Sequence, residues 1–161
     1  MKKHLRTICF LLICVAVVCC SSELGSGQSN QTIQIPPQLL NQLIRDDQEI
    51  RSLFRDGHYP DNNPAEQFSV ELVDLNGDNK PEYFVSQSGG NSSSPLWIYR
   101  RVRNGYQQIL KAAFMKFRVL DTSANGYHDV ELSYGGNAMG YKTDLFAFTG
   151  RKYTLKAQKK K

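Results

Sequence analysis

The sequence predicts a mainly β (α+β) protein: antiparallel sheet or sheets built from two related four-stranded repeats, with one N-terminal amphipathic helix packed on them. Three observations lead there. From residue 68 onward the chain alternates apolar and polar residues and is rich in β-branched and aromatic types. Clusters of Gly, Asn and Ser separate these runs, as turns require. The order of four such runs then recurs after about 45–47 residues, a period typical of blade-like β units.

The chain opens Met1-Lys2-Lys3-His4-Leu5-Arg6, continues apolar over residues 8–20 and turns polar at Ser21-Ser22-Glu23. A basic start, a short apolar run and a polar exit are the anatomy of a secretory signal peptide, here residues 1–22. The run falls short of the ~20 apolar residues that span a bilayer. Export to the periplasm or the extracellular space is therefore expected. All four cysteines, Cys9, Cys14, Cys19 and Cys20, lie in this segment, so cleavage after it leaves no thiol and no internal disulfide. A lipoprotein would instead keep Cys19 or Cys20 as its lipidated N-terminus, although Val18 and Cys19 are poor residues to precede such a cysteine. Residues 23–35 read as a polar tether that suits either outcome.

The formal charge of +5 drops to +2 once Lys2, Lys3 and Arg6 are removed, and to −1 without Lys159-Lys160-Lys161. A near-neutral body has no basic footprint for nucleic acid. Residues 157–161 read as a solvated basic tail, and residues 36–156 as one domain.

After Pro36-Pro37, Leu39, Leu40, Leu43, Ile44, Ile50, Leu53 and Phe54 recur at three- and four-residue steps, with Arg45 to Glu49 on the other side. That periodicity predicts one helix over 37–56, started by proline and closed by Gly57 and Pro60. Its apolar stripe is expected on the sheet.

Strands are expected around 68–72, 83–85, 96–99 and 106–110, and again around 117–120, 130–134, 143–148 and 152–155. Val73-Asp74 aligns with Leu120-Asp121, and Gly89-Gly90-Asn91 with Gly135-Gly136-Asn137, which defines repeats at 66–110 and 114–156. Two copies cannot close a propeller, so one sheet or two packed sheets should result.

Between the first two strands lies Asp74-Leu75-Asn76-Gly77-Asp78-Asn79-Lys80-Pro81-Glu82. Oxygen-bearing side chains at every second position of a turn suit a hard cation such as Ca²⁺, which takes six to eight oxygens. The metal set is Asp74, Asn76, Asp78 and Glu82 through side chains and Lys80 through its carbonyl. An EF-hand is excluded, because Asn79 and Val85 stand where that loop needs glycine and a bidentate glutamate, and strands rather than helices flank it. The segment resembles the cation loop of the FG-GAP or VCBS-type repeats found in integrin alpha-subunits and many bacterial exported proteins, Asp-x-Asp/Asn-x-Asp-Gly-x-x-Asp between two strands. Asn79 departs from the usual glycine and Glu82 from the last aspartate. The resemblance is specific over about fifteen residues and implies binding or adhesion rather than catalysis.

In the second copy, Asp121, Ser123, Asn125 and Asp129 fall on the corresponding positions with only two carboxylates, which reads as a structural turn held by Asx hydrogen bonds. His58 and His128 are the histidines beyond the leader. His128 and Asp129 are strand neighbours pointing to opposite faces and make no dyad. Ser92-Ser93-Ser94 lacks the context of a nucleophile. No catalytic residue is assigned. The aromatic residues Trp97, Tyr99, Tyr106, Phe146, Phe148 and Tyr153 read as packing. The expected function is an exported calcium-binding module of the cell envelope that binds a protein or saccharide. The alternatives are an exported inhibitor using the Gly/Asn/Ser loops, with the acidic loop only structural, and a metal-dependent hydrolase.

Overall fold

A computed structural model describes residues 31–56, 63–87, 93–135 and 141–160. Two antiparallel sheets carry the fold. The first has five strands in sequence order: β1 (Gln31–Ile33), β2 (Phe68–Val73), β3 (Glu82–Gln87), β4 (Ser94–Val102) and β5 (Gly105–Phe114). The second has four, also in order: β6 (Lys116–Ala124), β7 (Tyr127–Gly135), β8 (Tyr141–Phe148) and β9 (Tyr153–Lys160). Every expected strand is present, and β2–β5 and β6–β9 are each a four-stranded meander. The segment read as a signal peptide, His58 and the expected helix stop at Gly57 and Pro60 lie outside the described residues, as does most of each Gly/Asn/Ser loop.

Two differences from the sequence reading have clear causes. The 37–56 helix is two helices, α1 (Pro37–Asp46) and α2 (Gln48–Arg55). Asp47 between them is extended, at φ −111° and ψ 115°, because its side chain caps α2 by accepting from the Glu49 and Ile50 amides. An aspartate that can satisfy two orphan amides gains more there than inside a helix. Arg51 of α2 in turn donates to the Ile44 and Arg45 carbonyls at the end of α1. The second difference is β1. Within the stretch read as a tether, Gln31, Thr32 and Ile33 pair with Leu72, Glu71 and Val70, and Ile35 is buried. At the other end, Lys159 and Lys160 of the stretch read as a tail belong to β9, an edge strand, where lysine discourages pairing with another chain.

The first sheet is covered on both faces. Against one, Leu39, Leu43 and Ile50 of the helices pack on Phe68, Val70, Val85, Trp97 and Tyr99. Against the other, Val73, Leu75, Phe84, Leu96 and Ile98 meet Val130, Leu132, Phe148 and Tyr153 of the second sheet. The rings of Phe84 and Phe117 lie 4.7 Å apart across this interface. The helix layer is fastened by Asp47, which receives the Trp97 indole N–H at 2.8 Å and the Lys111 ammonium at 2.7 Å. Among the described residues, no helix is long and apolar enough to cross a membrane.

Candidate metal centre

Val73 pairs with Glu82, so the acidic loop is the connection between β2 and β3 and Glu82 is the first residue back in the sheet. The loop is wound around its own side chains. Asp74 Oδ1 accepts from the Asn76 amide at 3.2 Å and the Gly77 amide at 2.8 Å, and Oδ2 from the Asn79 amide at 2.9 Å. Asn76 Oδ1 takes the Asp78 amide at 3.0 Å and Asp78 Oδ1 the Lys80 amide at 2.8 Å. Each oxygen-bearing residue thus turns the chain two residues on, which bends the backbone round the side chains at 74, 76 and 78. Gly77 at φ 72° and Asn79 at φ 61° supply the left-handed positions. Asparagine accepts that conformation where most residues resist it, so the turn forms without the usual glycine. Burial opposes ionisation of Asp74, but the amides of Asn79, Asn76, Gly77 and Asp78 outweigh it and hold its carboxyl below the usual range.

Glu82 is the unusual member. It is 3% exposed, and its partners are neutral: the Leu75 amide at 2.9 Å and the Tyr127 hydroxyl at 3.4 Å. Burial pushes its carboxyl up to about 7, and the charges of Asp74 and Asp78 add to the rise. A buried carboxylate facing two of its own sign is costly unless a cation joins it.

The segment aligned with this loop folds differently. Asn125 and Gly126, at φ 51° and 79°, form a two-residue hairpin between β6 and β7, so residues 121–124 belong to a strand and do not wrap a loop. Asparagine-glycine is the expected sequence for such a turn. The Asn125 side-chain Nδ2 donates to the Phe148 carbonyl at 2.7 Å, outside the turn, and Asp121 is exposed. Asp129, which aligns with Glu82, is fully buried but carries an internal counter-charge. Its Oδ2 receives the Thr122 hydroxyl at 2.8 Å and the Lys156 ammonium at 3.2 Å, while Oδ1 is buried without a partner. His128 turns away, with Nδ1 2.7 Å from the Leu120 carbonyl.

Two groups of β7 fasten the acidic loop to the second sheet: the His128 amide donates to the Leu75 carbonyl at 2.7 Å, and the Tyr127 hydroxyl reaches Glu82. A cavity of about 400 Å³ opens beside the loop, lined by Lys80, Glu82, Tyr83, Arg100, Arg101 and Tyr127 among others. The sequence does not reveal this cavity, because Arg100 and Arg101 reach it from β4 and Tyr127 from β7. Among the described residues, no three His, Cys, Asp or Glu side chains gather closely enough to hold a metal by themselves. The set expected from the sequence also includes the Asn76 side chain and the Lys80 carbonyl, which lie between the carboxylates along the chain. No family model, no curated protein and no solved structure matches this chain.

Proposed function

We propose that the chain is an exported calcium-binding β-repeat module of the cell envelope, of the FG-GAP or VCBS type, that serves as a binding domain. The observation that carries the cation reading is Glu82: buried, with only neutral partners, and close enough to Asp74 and Asp78 for their charges to act on it. The donor chemistry fits a hard cation, since every candidate ligand is an oxygen and the amides that curl around Asp74 hold the loop in shape. Asp74, Asn76, Asp78 and Glu82 would hold the ion through side chains and Lys80 through its carbonyl. When bound, the ion supplies the positive charge that Lys156 supplies to Asp129 in the other half of the chain. The two consecutive four-stranded meanders support the repeat reading. The basic start and apolar run of residues 1–22 support export, with lipid attachment through Cys19 or Cys20 as its anchored form.

In this reading the ion is structural. The loop is tied to β7 at Leu75 and Glu82, so fixing it fixes the β2–β3 connection against the second sheet. Calorimetric titration with Ca²⁺ tests the proposal. One ion per chain is expected, lost in Asp78→Ala and kept in Asp121→Ala, whose carboxylate is exposed on a strand. Equal loss in both variants would contradict the assignment.

A further inference from the structure

We infer that the cavity beside the acidic loop binds an acidic saccharide, its carboxylate held by Arg101 and Lys80 and its hydroxyls facing the loop and Tyr83. This rests on the cation reading above and names a ligand class for the same region. The cavity, at about 400 Å³, lies within the range of small-molecule sites. Its wall carries three cations, Lys80, Arg100 and Arg101, against two carboxylates, Asp78 and Glu82. A divalent cation in the loop offsets two of the three loop carboxylates, Asp74, Asp78 and Glu82, and with Lys80, Arg100 and Arg101 in the wall the surroundings are then net positive, which favours an anion.

The two arginines are not equivalent. Arg100 is already committed: its Nε and one Nη donate to Gln107 Oε1 at 3.0 and 2.8 Å, and its guanidinium lies 5.7 Å from the Phe148 ring centre. It forms a fixed positive wall. Arg101 is exposed at the cavity rim, as is Lys80, which leaves their donors to an incoming carboxylate. Arginine suits that group because its planar fork can pair with both oxygens. The rest of the lining selects a polyhydroxylated body over an apolar one. It carries Asp78 and Asn79 from the loop, the Tyr127 hydroxyl on Glu82, and Tyr83, whose ring packs edge-on against Tyr106. Tyrosine also offers a ring face against which a sugar packs. A compact cavity of this kind takes one or two rings, whereas an extended acidic peptide needs a groove or an open strand edge.

The test is calorimetric titration of the purified protein with trigalacturonate and with neutral trigalactose, in ~2 mM Ca²⁺ and in EDTA. The melting temperature is followed in parallel without saccharide. Binding of the acidic trimer in Ca²⁺ is expected, with no detectable binding of the neutral one. Arg101→Ala should weaken binding roughly tenfold or more, the scale of one charge-assisted pair, and leave the Ca²⁺-dependent melting shift unchanged. EDTA should weaken it by at least a similar factor. A Ca²⁺ shift without trigalacturonate binding, or binding that Arg101→Ala does not affect, overturns the saccharide proposal and leaves the cation reading standing. Absence of the Ca²⁺ shift itself overturns the cation reading and, with it, the basis of this inference.

Discussion

Replacing Asp47 by alanine removes four hydrogen bonds from one buried carboxylate. Oδ1 accepts from the Glu49 and Ile50 amides at 3.0 and 3.2 Å, and Oδ2 from Trp97 Nε1 and Lys111 Nζ at 2.8 and 2.7 Å. Loss of the α2 cap costs about 1 kcal/mol. Trp97 is buried, so its orphaned indole N–H adds about 1–3 kcal/mol. Lys111, with its side chain 45% exposed, swings into water at little cost. The total is about 2–4 kcal/mol, which for a domain of this size lowers the melting temperature by roughly 6–15 °C. Thermal unfolding followed by circular dichroism measures it. Asp47→Asn keeps the cap but cannot accept all four donors, and should lose about half as much. A fall of less than about 3 °C in Asp47→Ala would refute the reasoning, since the carboxylate would then not be fastening the helices to the sheet.

Three further outcomes follow from the same physics. Burial raises the Asp47 carboxyl, but Lys111, Trp97 and the Ile50 amide outweigh it, and its folded value lies below the ordinary one. Its contribution is therefore fully present above the unfolded value near 4 and is lost as pH falls through the folded value. The stability gap between the parent and Asp47→Asn should be flat from about pH 5 to 8 and shrink below about pH 4 in melts across that range. Lys156→Met strips the counter-charge from fully buried Asp129 and should cost about 1–3 kcal/mol in urea unfolding, much of it recovered in the double variant with Asp129→Asn. Gly77→Ala places a side chain at φ 72° with nothing within 4 Å of the new carbon, so the cost is backbone strain alone, about 1 kcal/mol in the same assay.

The strands were readable because alternation and turn residues agree along the chain, from Phe68-Ser69-Val70 to Tyr153-Thr154-Leu155. Strand β1 was not, since three residues in a polar stretch carry no periodicity and pair only because β2 offers an edge. The break at Asp47 had a local signal, an aspartate with Glu49 two residues on, but the apolar spacing across it fits one continuous helix. The loop residues from Asp74 to Glu82 were visible as a spacing pattern, whereas the burial of Glu82 was not, because Tyr127 comes to it from a strand 45 residues away. The pairing of Asp129 with Lys156 was hidden for a similar reason. It depends on the register shift between Val119 and Ser123 that brings Thr122 over Asp129, and on β9 lying two strands from β7.

The most direct test of the account is thermal unfolding of the purified protein in EDTA and in ~2 mM Ca²⁺. A cation that binds only the folded state stabilises it by RT ln(1 + [L]/Kd), about 2.7 kcal/mol when Ca²⁺ is at a hundred times Kd. A melting temperature several degrees higher in Ca²⁺, with the difference abolished in Asp78→Ala and retained in Asp121→Ala, is the predicted result. Identical melting curves in EDTA and Ca²⁺ would contradict the account and reduce the Asp74–Glu82 segment to a hydrogen-bonded turn.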